Sequence, residues 1–292
     1  MKVPAKLAAF AAVLALLFAG GAFAGDLVGP EPTVTAAAPH DDTTSPASGE
    51  HTEKTPAGTG SHGAPRPVRG LAVAEDGLRV VVEDPELRRD RDERLAFRIV
   101  DEGGETVRDF DVEHTKRMHL IVVRRDMTGF QHLHPRQAAD GTWSVPLTLR
   151  DAGSYRVFAD FARDGEAHTL AGDLTVDGSL RSVPLPAPAP TAEVGGLRVR
   201  LDEGATRAGT ESDLRFTVTR DGRPVAVQDY LGAKGHLVAL REGDLAFLHV
   251  HPDERSLRFE ATFPTAGRYR LFLQFRTEGR VHTAEFTQEV AR

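Results

Sequence analysis

The 292-residue chain is 40% hydrophobic and 27% charged, which suits a soluble globular protein, and its length allows one large or two ordinary domains. A formal net charge of -7 favours neither nucleic acid nor an anionic membrane surface as partner. There is no cysteine, so disulfides, thiolate nucleophiles and thiolate ligands are excluded. A metal would have to be held by imidazole, carboxylate, thioether or backbone oxygen.

Residues 1–24 read as a signal peptide or an N-terminal membrane anchor. Lys2 and Lys6 precede an apolar run from Leu7 to Ala24 that ends in Ala22-Phe23-Ala24, an A-x-A pattern before Gly25. The run is close to the ~20 residues that span a bilayer, so membrane contact is expected only through this segment, if it stays uncleaved. Either way the remainder is expected outside the cytoplasm, secreted or anchored. Residues 25–69 are rich in Pro, Thr, Ser, Ala and Gly and hold few large apolar side chains, which predicts a disordered stalk. His40, His51 and His62 lie there and read as solvated side chains.

Beyond the stalk the chain repeats itself, as residues 70–178 and 193–292. Leu78-Arg79-Val80 matches Leu197-Arg198-Val199, and His119-Leu120-Ile121-Val122-Val123 matches His236-Leu237-Val238-Ala239-Leu240. Phe130-Gln131-His132-Leu133-His134-Pro135 matches Phe247-Leu248-His249-Val250-His251-Pro252. The segments from Ala152 to Phe158 and from Ala266 to Phe272 share A-G-x-Y-R-x-F. Two copies of such length argue for duplicated globular domains rather than a solenoid. Between them, residues 179–192 carry Pro184, Pro186, Pro188 and Pro190, an extended semi-rigid connector.

Within each copy the hydrophobic period is two. Tyr155, Val157, Ala159 and Phe161 share one face, as do Tyr269, Leu271, Leu273 and Phe275. Arg163-Asp164-Gly165 and Thr277-Glu278-Gly279 read as tight hairpin turns between the last two strands. Asp151 to Tyr155 has the spacing of a tyrosine corner, and Thr265 to Tyr269 repeats it. Val157 and Leu271 stand where an antibody domain has cysteine. The chain is therefore expected to be all-β, with two tandem immunoglobulin-like antiparallel β-sandwiches.

Eight histidines form two matching sets: His119, His132, His134 and His168, then His236, His249, His251 and His282. The first two members of each set are 13 residues apart, and each set contains H-x-H. Residues i and i+2 of a strand point to one face about 6.6 Å apart, so two imidazoles can converge on one ion. A hairpin turning near Asp126 would put His119 across from His132 and His134, with His168 arriving from the last strand as a fourth ligand. All four are expected on the apolar side, at its edge. His114 aligns with Leu231 and reads as ordinary surface. One metal site per domain is the expectation, holding copper, with zinc as the alternative. Met118 and Met127 would soften the first site for Cu(I), although Met118 has no counterpart in the second copy and its parity points away from His119. The competing reading makes the histidines structural, marking duplicated strand ends.

The H-L-[IV]-x-[VL], F-x-H-[LV]-H-P and A-G-x-Y-R-x-F motifs resemble those of secreted or membrane-anchored bacterial heavy-metal-binding proteins of actinobacterial type, similar to YtkA-like and copper-resistance periplasmic domains. The resemblance covers about residues 70 to 291. It implies a β-sandwich and copper handling through His119, His132, His134, His236, His249 and His251. The expected function is extracytoplasmic metal storage, handover or resistance, with an envelope metal-transport protein as possible partner. The rival is an adhesive or scaffolding envelope module. No zinc-hydrolase H-E-x-x-H motif, nucleophile–base pair or phosphate loop is present, so no enzyme is expected.

Overall fold

A computed structural model describes residues 68–202, 206–248, 250–253 and 255–292. The expected signal or anchor segment, and the stalk up to residue 67, lie outside the described residues. His249 also lies outside them, and of His251 only the backbone is described.

The first repeat folds as β1 (Ala74–Glu75), β2 (Leu78–Val82), β3 (Glu86–Leu87), β4 (Asp92–Val100), β5 (His119–Arg124), β6 (Gln131–Leu133), β7 (Arg136–Gln137), β8 (Trp143–Thr148), β9 (Gly153–Arg163) and β10 (Glu166–Val176). The second folds as β11 (Thr191–Val194), β12 (Leu197–Asp202), β13 (Glu211–Arg220), β14 (Arg223–Pro224), β15 (Gly235–Arg241), β16 (Phe247–Leu248), β17 (His251–Pro252), β18 (Arg258–Thr262), β19 (Gly267–Thr277) and β20 (Arg280–Val290).

Each repeat forms two sheets. In the first, β1-β2-β4-β8-β7 faces β3-β10-β9-β5-β6. In immunoglobulin lettering β2, β4, β8 and β7 are A, B, E and D, while β10, β9 and β5 are G, F and C. The second repeat gives β11-β12-β13-β18-β17 and β16-β15-β19-β20. Both are immunoglobulin-like sandwiches. The tyrosine corners form as well: Tyr155 Oη donates to the Asp151 carbonyl at 2.8 Å, and Tyr269 Oη to that of Thr265 at 3.0 Å. Val157 and Leu271 are buried in the cores, so packing replaces the disulfide. The last hairpins turn through positive φ at Asp164 and Gly165, and at Glu278 and Gly279, as a type I′ turn requires.

Among the described residues, three apolar clusters result. Leu120, Val122, Tyr155, Val157 and Phe161 belong to the first sandwich core, and Leu237, Ala239, Leu271, Leu273 and Phe275 to the second. The alternate residues Ile121, Val123 and Phe158 meet Val238, Leu240, Phe247 and Phe272 in a third cluster that joins the two repeats. β5 is buried at all six positions because one face looks into its own sandwich and the other at its neighbour. Each large side chain buried here contributes roughly 1.5–3 kcal/mol. The contacts cross over: Phe130 stacks on Phe272 with centroids 4.1 Å apart, and Phe158 meets Phe247 at 5.4 Å. Phe130 and Phe247 are counterparts in the repeat, as are Phe158 and Phe272, so the junction has the reciprocal pairing of a two-fold interface.

The connector is held against the first repeat rather than hanging free. Val183 N–H donates to Asp126 Oδ2 at 2.8 Å, Arg124 Nη2 donates to the Arg181 carbonyl at 3.2 Å, and Leu185 packs against the junction cluster. Gly70 shows how close the approach is. It has φ 71°, and a Cβ there would lie 2.7 Å from Phe247 Cβ.

Candidate metal centre at the domain junction

The hairpin from β5 to β6 pairs Leu120 with Leu133, Ile121 with His132 and Val122 with Gln131. That register puts His132 on the His119 face and carries His134 to the position beside His119. Ring centroids are 5.2 Å apart for His119–His132, 5.1 Å for His119–His134 and 4.8 Å for His132–His134. One ring nitrogen from each of the three lies within 4.8 Å of the others.

The face they occupy corrects the expectation of one quartet per domain. On β9, Asp160 pairs with both His119 and Thr169, whereas the adjacent Phe161 pairs with His168. Neighbouring rows point to opposite faces of a sheet, so His168 lies on the face opposite His119. It stacks on Phe161, centroids 5.3 Å apart. The second repeat behaves alike: His236 pairs with Gln274, while His282 pairs with and stacks on Phe275 and its Nε2 meets Thr277 Oγ1 at 2.9 Å. His168 and His282 therefore do not join the cluster. The face that carries His119 is the junction, not the edge of a sandwich interior. Met118 is buried in the first core, on the opposite side from the imidazoles, and Met127 sits in the junction cluster.

In place of those two, the junction brings residues of the second repeat. His236 lies with its ring centroid 6.0 Å from both His119 and His132. His114 is 5.1 Å from His236 and 6.3 Å from His119, although its alignment with Leu231 gave no hint of this. Gln274 also went unnoticed in the sequence, because a single amide on a β-strand carries no motif. A cavity of about 370 Å³ opens beside the cluster, lined by His114, His119, His132, Asp160 and His236 with apolar neighbours such as Val238.

The hydrogen bonds form a chain across the junction. His119 Nε2 is 3.3 Å from the Glu113 carbonyl, His119 Nδ1 is 3.0 Å from His132 Nε2, and His132 Nδ1 is 2.8 Å from Gln274 Oε1. Gln274 Nε2 donates to Thr283 Oγ1 at 3.2 Å. With acceptor oxygens at both ends, two neutral imidazoles bring two N–H groups to three gaps. One gap lacks a proton. Donating outward to both oxygens leaves two lone pairs facing each other between His119 and His132. A third proton would fill that gap, but burial works against it. Burial is the largest cause that lowers the His119 ring and holds His132 well below its ordinary value, and it brings His134 and His236 to about 4. Nε2 of His134 and Nε2 of His236 are buried without any hydrogen-bond partner.

This donor set fits a transition ion. Nitrogens about 2.0–2.1 Å from a tetrahedral ion lie about 3.3 Å apart and put ring centroids about 5 Å apart, close to the spacings in the triad. The outward bonds to Glu113 and Gln274 are the orienting contacts that metal-bound imidazoles ordinarily make.

A family model, Domain of unknown function (DUF8832), matches residues 72–178 and 192–292, one copy per sandwich. The chain belongs to the DUF8832 family. No curated protein matches this DUF8832 chain, and no YtkA-like or copper-resistance relative is shown. Among solved structures, it is similar to the Escherichia coli adhesin FdeC, at 16% identity over 76% of this chain and 66% of that one, with TM-score 0.27. A Salmonella alpha-2-macroglobulin shares 14% identity over 78% of this chain and 15% of its own, with TM-score 0.28. Invasin, a bacterial integrin-binding protein, shares 12% over 75% and 40%, with TM-score 0.24. The DUF8832 chain thus spans less than two thirds of these chains.

Proposed function

We propose that this protein is a non-enzymatic, extracytoplasmic immunoglobulin-like module of the cell envelope whose two sandwiches enclose a transition-metal site. His119, His132 and His134 supply the ligands, and copper or zinc is the ion. The observation that carries the reading is geometric: one ring nitrogen from each of the three imidazoles lies within 4.8 Å of the others, His119 Nδ1 and His132 Nε2 are 3.0 Å apart, and Nε2 of His134 is buried without a partner. All-imidazole donors suit Cu(II) and Zn(II), and Cu(II) leads in intrinsic affinity. A bound ion would serve storage, resistance, or handover to an envelope metal-transport protein.

The second reading keeps the envelope module as an adhesive or scaffolding unit and makes the histidines structural. One observation favours it. Turning the Gln274 amide over lets Nε2 donate to His132, His132 to His119 and His119 to Glu113, a neutral chain that holds the two sandwiches together with no ion.

Calorimetric titration with Zn(II) and Cu(II), paired with thermal denaturation, separates them. The metal reading expects binding that raises the melting temperature by mass action and is lost in His132→Ala. Indifference of the melting temperature to both ions would leave the scaffold reading.

A further inference from the structure

The three imidazoles of the first repeat leave an ion one ligand short of tetrahedral. His236 of the second repeat is placed to supply it. Its Nε2 is buried and bonds to nothing, its ring is 6.0 Å from both His119 and His132, and it lines the same cavity. A move of about 1 Å toward His119 and His132 would bring it to the centroid spacing of about 5 Å from those two rings that a shared ion requires.

The reciprocal packing explains why this histidine is there. Phe130 on Phe272 and Phe158 on Phe247 relate the two β5-type strands by the local two-fold, and that places His119 and its repeat counterpart His236 across the axis from each other. His132 already crosses the boundary to reach Gln274, which pairs with His236 across β15 and β19.

We infer that the ion is a clasp between the two sandwiches: a single site completed in trans by His236, so that loading it with metal stiffens the domain pair. The inference rests on the triad reading and adds to it. Three imidazoles alone leave a position open to water beside the cavity, whereas four saturate the ion as in a structural site. Gln274 then orients His132 from the second repeat, so both halves of the chain contribute to one ion's surroundings.

The test uses the full chain with Zn(II) as probe. Calorimetry gives stoichiometry and affinity, and hydrogen–deuterium exchange follows β15 in the second sandwich. Wild type should bind one ion at this junction and slow exchange in β15 about tenfold or more. His236→Ala, with His236→Gln as a variant that keeps a polar side chain there, should bind about ten- to a hundredfold more weakly and lose the protection of β15. Unchanged affinity and protection in both variants would overturn the clasp and leave the triad reading standing. Unchanged binding in His132→Ala would remove the triad and the clasp together.

Discussion

His132, on the first sandwich, sets its Nδ1 2.8 Å from Oε1 of Gln274 on the second, and this one contact decides how the whole histidine chain is protonated. A carboxylate in that place accepts but cannot donate. In the metal reading Gln274→Glu keeps the His132 N–H bond and adds negative charge, so Zn(II) affinity should rise about tenfold, whereas Gln274→Leu should lower it about ten- to a hundredfold. In the structural reading Gln274→Glu removes the donor that starts the neutral chain. It then costs about 1–3 kcal/mol of stability, with no metal response. Urea denaturation with and without Zn(II) reads both outcomes.

Acidity should act on the folded state through the same rings. Burial leads the causes that lower His119 and His132 and bring His134 and His236 to about 4. An unfolded histidine titrates near 6.5, so below that pH the unfolded chain binds protons that the folded one refuses. Stability should therefore fall as pH drops from about 6.5 toward about 4, and be full above that window. Because the rings are already neutral in the metal-free protein, Zn(II) affinity should change little between about pH 8 and 6 and weaken below about 5. Affinity that drops steeply at about pH 6.5 would show that the rings are not buried as described.

The junction itself should be strong. Phe272 is fully buried and stacked on Phe130 with planes 7° from parallel. Phe272→Ala is expected to cost about 3–5 kcal/mol. A double-mutant cycle with Phe130→Ala should return a coupling of about 0.5–1.5 kcal/mol. A coupling near zero in chemical denaturation would mean that the two sandwiches do not hold this arrangement in solution.

His168 and His282 offer the contrasting case. Both stack on core phenylalanines on the far side of their sheets. Alanine at either position should leave metal affinity within about twofold while lowering stability by about 0.5–3 kcal/mol, the ordinary range for single substitutions. A large drop in affinity from His168→Ala alone would overturn the assignment of faces.

Much of this was legible in the residues themselves. Alternation in Tyr155 to Phe161, the corner at Asp151 to Tyr155 and the Asp164-Gly165 turn fixed strand type, corner and hairpin, because each depends on contacts within a few positions of the chain. The hairpin that sets His119 beside His132 and His134 followed from the spacing about Asp126 for the same reason. The fate of His168 did not follow. Parity says that it alternates with Thr169, but parity cannot say which of them shares the His119 face until β9 places Asp160 between His119 and Thr169.

Local periodicity and repetition thus settle what depends on near neighbours: two similar sandwiches, their turns, and three imidazoles on one hairpin. Tertiary structure alone decided that the free face of β5 is covered by the other sandwich, which brings His236 and Gln274 to the imidazoles and exposes His114 beside them. The physical reason is that a strand apolar on both faces must be covered twice, and the second cover is chosen by shape and packing between segments more than a hundred residues apart.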